Sequence, residues 1–274
     1  MQGHGLSPLP SPGKDNAHLS LPSTLRGAAR REEFYVEYQP IVDLESRRWI
    51  GAEALVRWRR SGGRVDQPDS FIPTAEESGV VTFITACVAE IVAINLSAAD
   101  FRSSHTVELL RRVLRSSGAR PANIEVEATE RALLQGNEAR DIIAAIRAFG
   151  IKVSIDDFGA GYSTLSYLHT LGVDALKIDR SFVKTIGTDG ATSKVVSHIV
   201  GMAHALDLIT VAEGVETEAQ ARFLRGCRVR YAQGWLFDKS MNIASLCAAL
   251  EKHGCRSQMD AAPGGWPRSS PNAD

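Results

Sequence analysis

The chain reads as an α/β protein built on a (β/α)8 TIM-like barrel with an antiparallel first strand. Three features predict it. Short apolar or alternating runs recur along the sequence, with amphipathic helical patterns between most of them. About eight such runs fit into 274 residues, the size of one barrel. Polar, mostly ionisable residues stand at the ends of those runs, where a barrel of this type collects its functional groups.

Strands are expected near 34–42, 48–57, 91–96, 123–127, 151–156, 174–178, 208–213 and 229–232. The first two are joined by only "LESRR", too short for a helical crossover, so they pair antiparallel. Between later strands the helical signal is strong. "GNEARDIIAAIRAFG" puts Ile142, Ile143, Ile146 and Phe149 on one face and closes with Gly150, a C-terminal stop. "SKVVSHIVGMAHALD" behaves likewise.

Most prolines, with Gly, Ser and Asn, lie near the two ends, so 1–30 reads as a disordered leader and 256–274 as a disordered tail around one domain at 31–255. No second sensory domain of ordinary size is expected ahead of that core. The hydrophobic share of 44% beside 23% charged residues is that of a globular protein able to bury a full core. A net charge of -1 gives no general attraction to DNA, RNA or an anionic membrane, so an anionic partner must be met locally. The longest apolar run, Val80 to Leu96, is broken by Glu90 and Asn95 and falls short of the ~20 residues a membrane span needs. The N-terminus has no apolar signal-peptide core. Four cysteines without a C-x-x-C pair fit a reducing, cytoplasmic setting.

The stretch "IDDFGAGYS" (155–163) poses the sharpest chemical question, since it sets two like charges side by side at a strand end. One reading is an ordinary solvated turn, for Asp and Gly are common loop-makers. The other is that a cation neutralises the pair. The remaining strand ends favour the second: Glu53 lies in the second strand, and Asn95, Glu127, Asp156 with Asp157, Lys177, Glu213 and Gln233 close the following ones. Five carboxylates converging in one barrel mouth do not all stay ionised without cations. Oxygen donors with no His or Cys cluster suit Mg²⁺ or Mn²⁺. Two such ions sharing a carboxylate are a device for in-line displacement at phosphorus.

The motifs "AEALVRW" (52–58), "INLS" (94–97), "EATE" (127–130), "DDFGAGYSTLSYL" (156–168), "LKIDRSFV" (176–183), "AEGVET" (212–217) and "QGWLF" (233–237) resemble, in order, those of EAL-domain cyclic di-GMP phosphodiesterases. The resemblance implies a first cation held by Glu53, Asn95, Glu127 and Asp156, and a second held by Asp156 and Asp157 with a water positioned by Glu213. It makes Glu213 the proton acceptor and Lys177 the stabiliser of charge on the attacking water. Gln39, Gln233 and Glu216 line the mouth, and Arg57 contacts a phosphate or a guanine edge. Glu130 anchors a mobile loop whose Gly159 and Gly161 permit unusual backbone angles, and Ala160 stands where the family usually has Thr. The implied reaction is hydrolysis of cyclic di-GMP to linear pGpG, with two Mg²⁺ or Mn²⁺ per site, inhibition by Ca²⁺, and a homodimer. The alternative is a catalytically silent EAL module that acts as a cyclic di-GMP receptor or interaction partner.

The sequence departs from that pattern in length. The barrel is shortened between its second and third strands, where "TAEESGVVTFITACVAEIVAINLS" leaves a helix of ~16 Å over 79–89 and almost no loop before the strand bearing Asn95. Either that helix unwinds early or strand 91–96 is displaced. "FDKSMNIASL" (237–246) also lacks the family's proline before the last helix, a change expected to be harmless.

Overall fold

The computed structural model describes residues 31–67 apart from 32 and 61, 93–133 apart from 118, 137–159, 171–188 and 191–252, together with Ala28 and Leu168. The expected leader apart from Ala28, the expected tail, residues 74–92 of the shortened 74–94 segment, Ala160 and Gly161 lie outside the described residues.

Nine strands form one sheet: β1 (Phe34–Asp43), β2 (Trp49–Arg59), β3 (Val65–Asp66), β4 (Ala93–Leu96), β5 (Glu125–Thr129), β6 (Lys152–Phe158), β7 (Ala175–Ile178), β8 (Ile209–Ala212) and β9 (Tyr231–Ala232). Their order is β1-β9-β8-β7-β6-β5-β4-β2-β3, and pairing of β1 with β2 closes the barrel on eight staves, β3 being a short appendage of β2. β1 runs antiparallel to both neighbours and the staves from β2 through β9 run parallel, as the short first connection requires.

The helices that wrap this sheet follow their sequence patterns. Among the described residues they are α1 (Ser104–Ser117), α2 (Glu130–Leu133), α3 (Asn137–Ala148), α4 (Arg180–Val183), α5 (Ala191–Ala205), α6 (Glu218–Gly226) and α7 (Ile243–Lys252). α3 buries Ala139, Ile142, Ile143 and Ile146, and Gly150 beyond it takes φ +86°. Each buried isoleucine contributes about 1.5–3 kcal/mol of burial energy, so one apolar stripe suffices to fix the helix on the sheet. α5 does the same with Val196, Ile199, Val200 and Ala203. None of these helices is long and apolar enough to cross a membrane.

The differences from expectation are local. The strand expected at 123–127 starts at Glu125, because Pro121–Asn123 forms a single 3₁₀ turn, and it runs on to Thr129. The strand expected at 151–156 continues to Phe158 through a register shift after Ile155. The last stave is only two residues long; past it the chain returns, and Tyr38 and Met241 exchange backbone bonds of 2.7 and 2.9 Å along the free edge of β1. β3, not expected, pairs with the end of β2. Of the two adjustments to the shortened segment, displacement of the third strand is not found: Asn95 pairs in register with Glu127, and Ala93 with Glu53.

Candidate functional site

The rim groups expected from the sequence meet at the C-terminal mouth of the barrel. Glu53 stands in the middle of β2, opposite Gln39 of β1, while Asn95 and Glu127 are cross-strand partners on β4 and β5. Glu213 and Gln233 lie one residue beyond β8 and β9, each fixed by its backbone N–H, to the carbonyls of Ile178 (3.1 Å) and Ala212 (2.9 Å). Lys177 of β7 is at the centre and essentially fully buried. Its Nζ lies 2.7 Å from Glu213 Oε1, 2.8 Å from Glu127 Oε2, 3.4 Å from Glu53 Oε2 and 3.5 Å from Asp156 Oδ1. Asn95 donates to Glu53 Oε1 at 3.0 Å, and Gln233 donates to Glu53 Oε2 at 2.5 Å.

These groups strongly perturb one another. Burial, then the neighbouring Glu53 charge, pushes Glu127 well above the usual carboxylate range. Burial and the Asp156 charge push Glu213 up, against the pull of Lys177. Burial and Asp156 raise Asp157 to about 6. Burial opposes ionisation of Glu53 too, but Lys177 and the Gln233 and Asn95 amides outweigh it and hold that group low. The opposite directions of Glu53 and Glu127 express one coupled pair in which a single proton is retained most easily on Glu127. Burial also works against the ammonium of Lys177, yet the surrounding carboxylates raise it well above the ordinary lysine value.

A bulge explains how Asp156 and Asp157 reach the same place. In a regular strand, adjacent side chains point to opposite faces. Here Asp157 takes φ +54°, a left-handed conformation that Asp tolerates better than most residues, and the register of β6 slips between Ile155 and Phe158. Its N–H turns back to Asp156 Oδ1 at 2.9 Å. Asp156, Asp157 and Glu213 consequently each offer an oxygen within 4.8 Å of the others.

Five carboxylates around one ammonium leave this pocket short of positive charge, and every donor is an oxygen. Asn95 is fixed by its amide's bond to Glu53, and Gln233 Oε1 is buried without a hydrogen-bond partner among the described residues. Such a donor set fits hard divalent cations.

The loop after β6 begins with Gly159 at φ +94°, where an added Cβ would stand 2.8 Å from the Phe182 ring. Glu130, at the start of α2, accepts the Gly159 N–H at 3.4 Å; its second oxygen is buried and unpartnered among the described residues. Glu216 is not brought into the cluster: its side chain is exposed and its backbone N–H is bound by Gln220 Oε1 at 2.8 Å, part of the cap on α6.

Arg57 and Gln39 lie on the site-facing side of β2 and β1, in step with Glu53. Arg57 is buried and donates from Nε to Glu37 Oε2 (3.0 Å), from Nη1 to the Val56 carbonyl (3.0 Å) and from Nη2 to Ser240 Oγ (3.2 Å). Glu37 and Ser240 are the residues that sequence reasoning missed. The signal for Glu37 was present, since it alternates with Gln39 on β1; Ser240 comes from 203 residues away and gave none.

A closed (β/α)8 barrel whose C-terminal mouth gathers acidic side chains from four strands around one lysine defines a barrel protein with an oxygen-lined, cation-seeking centre. The chain belongs to the EAL domain family, whose model matches residues 23–240. It is 37% identical over 245 residues to the probable cyclic di-GMP phosphodiesterase PdeB of Escherichia coli, covering 84% of this chain and 47% of that protein. It is 34% identical over 263 residues to the cyclic di-GMP phosphodiesterase NbdA of Pseudomonas aeruginosa, covering 89% and 33%. The chain thus spans about half or less of the length of these curated relatives. Among solved structures, the PaMucR phosphodiesterase in complex with c-di-GMP superposes with a TM-score of 0.78 at 34% identity, covering 82% of this chain and 99% of that one. An EAL domain protein from Listeria monocytogenes gives 0.74 at 30%, covering 82% and 96%.

Proposed function

We propose that the protein is a metal-dependent phosphodiesterase that hydrolyses cyclic di-GMP to linear pGpG. The observation that carries this reading is the convergence of Glu53, Glu127, Asp156 and Glu213 on the buried Lys177, with Asn95 bound to Glu53 and Asp157 beside Asp156 and Glu213. The relatives named as cyclic di-GMP phosphodiesterases and the c-di-GMP complex of PaMucR support the substrate.

On this reading Glu53, Asn95, Glu127 and Asp156 hold one Mg²⁺ or Mn²⁺, and Asp156 and Asp157 a second. Bound divalent ions supply Lewis-acid chemistry at the phosphodiester. Glu213 takes the proton of the attacking water, its carboxylate held at the mouth of the site beside Asp156 and Asp157. Lys177, 2.7 Å from Glu213, fixes that carboxylate and stabilises negative charge developing beside it. The water oxygen forms the new bond to phosphorus, the ester oxygen on the far side leaves, and the ring opens to a linear dinucleotide. Arg57, Gln39 and Gln233 hold the substrate, while Glu130 and Gly159 position the loop beyond β6. The same reading includes a homodimer, and the scattered cysteines support a cytoplasmic setting.

The test is turnover by purified protein. With Mg²⁺ or Mn²⁺ and cyclic di-GMP it yields pGpG, and Glu53→Ala or Glu213→Gln loses turnover while keeping the fold. Binding of cyclic di-GMP without turnover in either metal would replace this reading with that of a silent receptor.

A further inference from the structure

The hydrogen bonds around Arg57 form a closed set. Ser240 Oγ donates to Glu37 Oε2 at 2.8 Å and accepts from Arg57 Nη2 at 3.2 Å, while Arg57 Nε reaches the same Glu37 oxygen at 3.0 Å. One serine hydroxyl therefore completes a ring between β1, β2 and the segment that follows β9. That segment is itself held to β1 on either side of Ser240: Asp238 accepts from Gln39 Nε2 at 3.5 Å, and Met241 exchanges backbone bonds with Tyr38. The Arg57 side chain is 7% exposed, so its orientation is set by these partners and not by solvent.

A guanidinium has five N–H groups in one plane. Three are taken, by Glu37, the Val56 carbonyl and Ser240. Nε and Nη2 share one edge of the guanidinium, and Glu37 and Ser240 occupy that edge. Among the described residues one hydrogen on Nη1 and one on Nη2 have no acceptor, a fork that suits a pair of adjacent acceptors, as on a phosphate or along the O6/N7 edge of guanine. Arg57 stands four residues beyond Glu53 on the same face of β2, about 13 Å toward the open end of the mouth. A substrate that placed one phosphodiester over the carboxylates would bring its far half to this height.

We propose that Ser240 is a positioning residue for substrate recognition: with Glu37 it clamps one edge of Arg57, so that the remaining fork is presented to a paired acceptor on the distal half of the cyclic dinucleotide. The proposal rests on the reading of the site as a cyclic di-GMP phosphodiesterase. Ser240 touches no reacting atom, and its effect runs through the guanidinium alone.

The experiment measures steady-state kinetics and melting temperature of the full chain and of Ser240→Ala, Ser240→Thr, Arg57→Lys and the Ser240→Ala/Arg57→Lys double variant. Ser240→Ala raises KM for cyclic di-GMP about tenfold with kcat within about twofold of the parent, the size expected for losing one well-placed charged hydrogen bond. Ser240→Thr, which keeps the hydroxyl, restores KM. In the Arg57→Lys background Ser240→Ala has no further effect, because the fork it positions is gone. Inhibition of turnover by cyclic di-AMP, which keeps both phosphates but presents a donor where guanine has O6, names the acceptor. Weaker inhibition in Ser240→Ala assigns the fork to phosphate, and unchanged inhibition assigns it to the guanine edge. Unchanged KM for cyclic di-GMP in Ser240→Ala, independent multiplying effects with Arg57→Lys, or a joint fall in kcat and melting temperature would overturn the clamp. A parent protein that neither binds nor hydrolyses cyclic di-GMP would instead overturn the proposed function on which the clamp stands.

Discussion

Lys177 Nζ and Glu213 Oε1 are 2.7 Å apart at the ends of neighbouring staves, the lysine fully buried and the glutamate side chain 15% exposed at the mouth. The contact is the tightest of four that Lys177 makes to carboxylates from different strands, and it ties β7 and β8 to the same centre as β2, β5 and β6.

Replacing the hub should therefore expose the self-repulsion of the site. Lys177→Met leaves buried carboxylates without their counter-ion, a change of about 3–5 kcal/mol for a broken buried pair. The variant is expected to melt well below the parent in EDTA and to recover much of that loss in Mn²⁺, while turnover falls at least ~100-fold. Equal melting temperatures in EDTA would mean that Lys177 is not the internal cation.

The bulge at Asp157 separates charge from backbone conformation. Asp157→Asn keeps a side chain that tolerates φ +54° and is expected to fold normally with weakened cation binding. Asp157→Val forces a β-branched residue into the left-handed region at about 1–3 kcal/mol and loses both stability and cation binding. Melting curves with and without Mn²⁺ distinguish the two.

Gly234 tests how finely Gln233 must be placed. It sits at φ +151°, and a Cβ there would overlap the Val215 backbone, carbonyl and nitrogen alike. Gly234→Ala must shift the chain that carries Gln233, which bridges to Glu53. A displacement of about 1 Å at a reacting centre costs ~100-fold in rate, and a loss of that order is expected in kcat. A variant with parental kinetics would show that the Gln233 bridge is dispensable.

The pH dependence follows from Asp157, which stands exposed at the rim yet is raised to about 6 by partial burial and by the Asp156 charge. Its folded pKa lies above the unfolded value of about 3.9, so its contribution to stability is fully present below about pH 4 and is lost as pH rises through 6. Cation binding requires the ionised form and gains over the same window. The rise in melting temperature produced by a fixed Mn²⁺ concentration is thus expected to grow from pH 5 to pH 7. A cation effect that is flat across that window would remove Asp157 from the cation set.

Calcium should compete without supporting turnover, because it prefers more ligands and longer, looser contacts than an octahedral Mg²⁺ site provides. Excess Ca²⁺ is expected to suppress the rate measured in Mg²⁺. Undiminished turnover in excess Ca²⁺ would contradict the assignment of Mg²⁺ as the working ion.

Much of this architecture was legible because period and punctuation report directly on burial. α3 could be drawn from Ile142, Ile143, Ile146 and Gly150, and the antiparallel start from the length of one turn. The rim was legible because strand ends locate it. What escaped were features made by long-range pairing: the bulge that turns Asp157 beside Asp156, and the return of residues 238–241 along β1, which no local pattern announces. Glu216 stands apart from the cluster: its backbone N–H is bound by Gln220, and among the described residues its carboxylate makes no such contact.

Calorimetric titration of the nucleotide-free protein with Mn²⁺, run beside Asp156→Asn, tests the central assignment most directly. Two bound ions per chain in the parent, with both weakened when the shared carboxylate is neutralised, is the result expected. Fewer than two ions in the parent, or an Asp156→Asn variant that binds as the parent does, would contradict it.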